Sequence, residues 1–150
     1  EWLLTQWEEN IFPNCKNAKL NVYSGFETYG SFGKKHSKKI KEILYPFKMG
    51  SSNYENWKKY YSGASGLMGL KIKSKNTNSV KKFVNSLKLF GYGYSWGGFE
   101  SLALHQEYRE TGNRKYLNLA KNEHLVRLHI GLEDPSDLIA DIKQALKHLK

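Results

Sequence analysis

The stretch Gly91-Tyr92-Gly93-Tyr94-Ser95-Trp96-Gly97-Gly98-Phe99-Glu100-Ser101-Leu102 limits what this chain can fold into more than any other. Ordering a glycine costs more backbone entropy than ordering any other residue. Glycines at 91, 93, 97 and 98 therefore imply a backbone forced into tight or positive-φ geometry. The apolar run Leu102-Ala103-Leu104 follows at once, which puts the turn at the mouth of a strand. Such a turn makes room either for close packing or for a ligand. Composition alone is also compatible with a glycine-rich strand entry whose aromatics join the core.

A second segment, Leu125-Val126-Arg127-Leu128-His129-Ile130-Gly131-Leu132-Glu133-Asp134, alternates. Val126, Leu128 and Ile130 fall on one face of a strand, Arg127 and His129 on the other. A half-buried arginine is expensive without an anionic partner. Its planar fork matches a carboxylate in two parallel hydrogen bonds, so Arg127 is a candidate carboxylate clamp. The plainer alternative is a surface ion pair with Glu133 or Asp134.

Elsewhere the pattern supplies a frame. In residues 67–73, Leu70 and Ile72 alternate against Lys71 and Lys73, the signature of a strand. Residues 77–89 space Val80, Phe83, Val84 and Leu87 as a helix behind a Thr-Asn-Ser cap region. Further strands are expected at 99–104 and 125–130, and the polar stretch 105–124 reads as a loop with partial helix. Residues 36–44 suggest a short helix, with Ile40, Ile43 and Leu44 on one side and Pro46 ending it. Gly50-Ser51-Ser52-Asn53 is turn chemistry.

The last helix is the clearest. Asp134 can cap it, Pro135 suits its first turn, and Asp137 places negative charge at the positive end of the dipole. Leu138, Ile139, Ile142, Ala145, Leu146 and Leu149 then make an apolar stripe, with Lys143, Lys147 and Lys150 toward water. Strands alternating with helices in this way indicate an α/β two-layer (α+β) sandwich, its antiparallel sheet covered by helices on one side.

Composition excludes several classes. The formal charge is +10, which raises the question of nucleic acid. Yet 21 of the 24 basic residues are lysine, spread over several elements, and arginine, the usual fork for bases and phosphates, is scarce. A basic nucleic-acid-binding module is accordingly the weakest of the readings. No apolar run approaches the ~20 residues of a membrane span, and no signal-peptide pattern opens the sequence. Cys15 is the only cysteine, which rules out an internal disulfide framework, and the five scattered histidines show no zinc spacing. A cytoplasmic protein fits these features.

Taken together, Tyr-Ser-Trp-Gly-Gly-Phe-Glu-Ser-Leu (94–102), Leu-Val-Arg-Leu-His-Ile-Gly-Leu-Glu-Asp (125–134) and the following Leu-Ile-Ala-Asp resemble the carboxy-terminal domain of cystathionine β-lyase. That enzyme belongs to the Cys/Met-metabolism group of pyridoxal-phosphate enzymes. Leu44-Tyr45-Pro46, the stretch around Trp57, and Ser62-Gly63-Ala64-Ser65-Gly66-Leu67 stand in the same order, so the likeness runs through residues 39–150. The resemblance implies the small C-terminal domain of a fold-type I pyridoxal-phosphate enzyme. The activity it implies is β-elimination of cystathionine, an amino-acid thioether, to homocysteine, pyruvate and ammonia. The implied substrate-binding residues are Arg127, on the α-carboxylate, Ser95, facing that carboxylate and the catalytic lysine, and Trp96, lining the pocket. The Ser-Trp-Gly-Gly form points to the β-lyase branch.

The resemblance also implies what residues 39–150 do not carry. The Schiff-base lysine, the aspartate facing the pyridine nitrogen, the stacking tyrosine and the phosphate cradle belong to a larger domain that precedes this one in the family. No residue here is accordingly expected to bind the cofactor, and Lys58 and Lys59 read as exposed charges. Residues 1–38 are expected to be the remnant of a linking helix followed by a poorly ordered insertion without family counterpart. The chain is then expected to be inactive alone. It would either work with a separately encoded N-terminal cofactor domain, in a family that forms homotetramers, or be a vestigial, non-catalytic fragment.

Overall fold

A computed structural model of the chain describes residues 38–46, 48–62, 65–95, 97–106 and 119–150. Nearly all of the expected linking helix and insertion, Cys15 included, lies outside the described residues, as do Trp96 and most of the polar stretch 105–124.

A five-stranded sheet organises the rest. Its strands are β1 (Ile40–Leu44), β2 (Leu67–Lys73), β3 (Gly91–Tyr92), β4 (Leu102–Gln106) and β5 (Glu123–His129), in the spatial order β1-β2-β5-β4-β3. All neighbours are antiparallel except the two-residue β3, which runs parallel to β4. The sheet is therefore mixed, although the alternating pattern suggested an antiparallel one. Among the described residues there are three helices: α1 (Tyr54–Tyr60), α2 (Thr77–Asn85) and α3 (Pro135–Ala145), the last continued by a 3-10 turn at Leu146–His148.

Alternation decides which face is covered. Met68, Leu70 and Ile72 of β2, Ala103 of β4, and Val126 and Leu128 of β5 point one way. They form a single cluster with Val80, Phe83 and Val84 of α2 and with Leu138, Ile139, Ile142 and Ala145 of α3. Each valine, leucine, isoleucine, methionine or phenylalanine among them, taken fully from water, contributes about 1.5–3 kcal/mol. The α3 stripe read from the sequence is buried residue for residue, Leu146 and Leu149 included. Asp134 caps that helix by accepting from the Ser136 amide at 2.7 Å.

Three details depart from the sequence pattern. Residues 40–44 form a strand, not a helix. The pairing Ile40↔Ile72 followed by Glu42↔Lys71 and Ile43↔Leu70 contains a bulge, and the extra residue turns a period of two into an i, i+3 spacing. Ile40 and Ile43 thus both reach the core, imitating one face of a helix. The second departure is in α2, which ends at Asn85, short of residue 89. The buried Asp141 of α3 accepts from the amides of Lys88 (3.0 and 2.9 Å) and Leu89 (2.8 Å), holding that segment off the helical path. The cap at the start of α2 is Asn76, whose side chain accepts from the Asn78 amide at 2.9 Å. The third is α1, which the sequence pattern did not assign. It buries no residue, and its Lys58 and Lys59 are exposed as expected.

Among the described residues no helix is long and apolar enough to cross a membrane.

Candidate functional site

The opposite face of β5 carries Leu125, Arg127 and His129, none of which belongs to the core cluster of the described residues. Arg127 lies in the middle strand, opposite Gly69 of β2 and Leu104 of β4. Leu104 is fully buried yet stands outside the core cluster, as its register beside Arg127 requires.

The glycine-rich turn comes down on this face. Arg127 donates through Nη2 to the Ser95 carbonyl at 2.8 Å and to the Gly93 carbonyl at 3.3 Å. The Ser95 hydroxyl accepts from the Gly97 amide at 3.3 Å and remains exposed. Both acids weighed as ion-pair partners are engaged elsewhere: Asp134 caps α3, and Glu133 binds Ser101. Among the described residues Arg127 has no acidic partner, and its Nε and Nη1 hydrogens meet no acceptor. Of a guanidinium's five N–H groups, those three have no acceptor among the described residues.

The structure therefore brings together two of the three residues singled out in the sequence, Arg127 and Ser95. The third, Trp96, lies outside the described residues. Three more residues belong to the arrangement and were not singled out. His129 packs its ring beneath Gly97, with Nε2 3.3 Å from the Gly98 carbonyl. The fully buried Ser101 donates its amide and its hydroxyl to the two oxygens of Glu133, each at 2.7 Å, and its hydroxyl accepts from the Gly131 amide at 2.9 Å. The Leu132 amide adds a bond to Phe99 O at 2.8 Å. This clasp joins the end of the glycine-rich segment to the loop after β5. It leaves no space for a side chain at 131, since a Cβ there would sit 2.3 Å from Phe99 O. For His129 the sequence held a signal, because alternation put it on the arginine's face. For Ser101 and Glu133 it held none, because they are partners across 32 positions.

On this face β2 offers Lys71 and Lys73. Lys71 is paired with Glu42 at 2.8 Å, and Lys73 is exposed at the far end of the strand, opposite Glu123. Glu123 is buried and paired with Lys41. Hydrogen bonding from that ammonium, and then from the Ala120 amide, holds its carboxyl below the usual carboxylate range. The donor set at the turn suits the carboxylate of a small molecule. A separate polar recess of about 520 Å³ lies between α2 and the β3–β4 edge, lined by Lys81, Asn85, Tyr92, Tyr94 and His105 among others. Arg127 does not line it.

Comparison with known proteins places the chain in a family. The family model described as Cys/Met metabolism PLP-dependent enzyme matches residues 29–147. An L-alanine/L-glutamate racemase of Wolbachia pipientis wMel is 39% identical over 116 residues, covering 77% of this chain and 28% of that protein. The cystathionine β-lyase MetC of Escherichia coli K12 is 38% identical over 105 residues, covering 69% and 27%. Among solved structures, a Campylobacter jejuni protein bearing the name O-acetylhomoserine (thiol)-lyase superposes with a TM-score of 0.66 at 27% identity, over 86% of this chain and 28% of that one. It carries pyridoxyl-lysine phosphate. The chain spans about a quarter of the length of the curated relatives it matches. By the extent of these matches, the chain belongs to the Cys/Met-metabolism family of pyridoxal-phosphate-dependent enzymes.

Proposed function

We propose that residues 39–150 form the small C-terminal domain of a pyridoxal-phosphate-dependent carbon–sulfur β-lyase acting on cystathionine or a related amino-acid thioether. In this reading Arg127 binds the substrate's α-carboxylate, and Ser95 and Trp96 line the same end of the site. The cofactor lysine comes from a domain outside these residues, and the enzyme works in the cytoplasm. The observation that carries the reading is the guanidinium of Arg127, mounted on the face of the sheet opposite the core cluster, unpaired by any described acid, and hydrogen-bonded to the Ser95 carbonyl. End-on pairing with a carboxylate uses one Nη1 and one Nη2 hydrogen. The longer contact, to the Gly93 carbonyl at 3.3 Å, is then the one a substrate replaces.

The bound cofactor supplies an electron sink for charge developing at the substrate's Cα. This chain's part is orientation. A bidentate grip on the carboxylate removes rotational freedom from the substrate and fixes its Cα–H bond relative to the reacting groups, an effect worth several kcal/mol of barrier. Ser95 extends the grip through its backbone, which shares Nη2 with the ligand.

The test is thiol release from L-cystathionine by the chain combined with the family's cofactor-bearing domain. Turnover is expected to need both. Arg127→Ala is expected to lower kcat/KM by on the order of 10²-fold or more through lost carboxylate binding and orientation. Unchanged kcat/KM in that variant would remove Arg127 from its role. A folded chain that never supports turnover would support the vestigial reading instead.

A second reading has one specific support, the racemase of Wolbachia at 39% identity. A carboxylate grip beside a reacting Cα serves racemisation equally well. Loss of optical activity from L-alanine without thiol release from cystathionine would favour it.

A further inference from the structure

His129 stands two residues from Arg127 on the same face of β5, and nothing in the carboxylate reading uses it. Its ring occupies the space a side chain at 97 would need: a Cβ built on Gly97 would fall 1.9 Å from Cδ2 and 2.3 Å from Nε2. Gly97 itself has φ +82°, a conformation that side-chain-bearing residues rarely adopt. In a neutral ring the Nε2···O contact with Gly98 calls for the hydrogen on Nε2, since a carbonyl only accepts, and leaves Nδ1 as the acceptor. Nδ1 is buried and has no partner among the described residues. Burying a polar atom unpaired is unfavourable, so an apolar filler would suit this position better if filling were its whole role.

The two side chains divide the turn between them. Arg127 holds it at Gly93 and Ser95, and His129 holds it at Gly98. Both arise from one central strand hydrogen-bonded on both edges, so their spacing is as rigid as the sheet.

We propose that His129 is a positioning residue. By seating Gly97 on its ring and binding the Gly98 carbonyl through Nε2–H, it sets the height of the Ser95 turn above the Arg127 guanidinium and thereby the fit of the α-carboxylate. This rests on the reading of Arg127 as the carboxylate clamp. The competing view is that His129 only fills space, in which case leucine would replace it without loss.

The experiment uses nuclear magnetic resonance on the 150-residue chain and its variants His129→Gln and His129→Leu. Glutamine can carry an N–H close to where Nε2 sits, and leucine cannot. Long-range ¹H–¹⁵N spectra are expected to show the His129 ring hydrogen on Nε2. Backbone order parameters for residues 93–95, 97 and 98 are expected near the rigid value of about 0.85 in the parent, to fall below about 0.6 in the leucine variant, and to recover in the glutamine variant. L-Cystathionine, followed at the Arg127 Nε signal, is expected to bind on the order of tenfold more weakly to the leucine variant, and to the glutamine variant about as well as to the parent. A turn that stays rigid in the leucine variant, a ring hydrogen on Nδ1, or no recovery with glutamine overturns the proposal. Should the leucine variant fail to fold, Gly97→Ala lifts the turn from an intact His129, and an unloosened turn there is equally fatal. If the turn behaves as expected but cystathionine moves no Arg127 signal, the carboxylate reading fails. The hold of His129 on the turn would then stand on the order parameters alone.

Discussion

The two faces of the sheet are built by different means. On the covered face, contact is made by apolar side chains: Val126 and Leu128 of β5 meet Phe83, Leu138 and Ile142 of the helices, all at most 1% exposed. On the other face, contact is made through the backbone. Arg127 and His129 reach the carbonyls of Gly93, Ser95 and Gly98. One strand, β5, serves both, by alternation. The lesson is that a period of two lets a single segment contribute stability on one side and a donor array on the other, with little trade between them.

That comparison can be broken by experiment. The largest effect belongs to the covered face. Phe83→Ala is expected to cost about 3–5 kcal/mol in equilibrium denaturation, through lost burial and the cavity left behind. A loss under about 1 kcal/mol would mean that the core does not close over this side chain. Gly97→Ala, on the other face, is expected to cost about 1–3 kcal/mol, because alanine must hold φ +82° and clear the His129 ring. A neutral result would show that the turn is not seated on that ring.

The smallest effect sharpens the comparison at the sheet's margin. Lys41 and the Ala120 amide depress the Glu123 carboxyl in the folded chain. The stability it contributes is therefore fully present above its unfolded value and is lost as pH falls through the lower folded value. Denaturation midpoints followed downward from about pH 5 are expected to show an acid limb that flattens in Glu123→Gln. An identical limb in both proteins would assign the acid sensitivity to other carboxyls.

Much of the frame was legible. The α3 stripe, its Asp134 cap and the alternation of β2 and β5 are local patterns, set by side chains a few residues apart. The proposed clamp was half legible. The sequence put Arg127 on the face away from Val126 and Leu128, but left open whether Glu133 would neutralise it. Tertiary structure settled that by giving Glu133 to Ser101. The error at 40–44 has the same origin, since a bulge is a property of pairing with β2 and leaves a helix-like spacing in the chain that carries it.

By itself, then, the sequence determined the apolar stripes, the caps, the face on which Arg127 stands and the presence of a glycine-forced turn. These follow from backbone periodicity and from the conformational freedom of single residues. Only the tertiary structure decided that the turn lands on Arg127 and His129, that Ser101 and Glu133 lock its far end, and that Asp141 ends α2. Each of those is a hydrogen bond across roughly 30 to 50 residues, made possible by strand order and register, which no local pattern encodes.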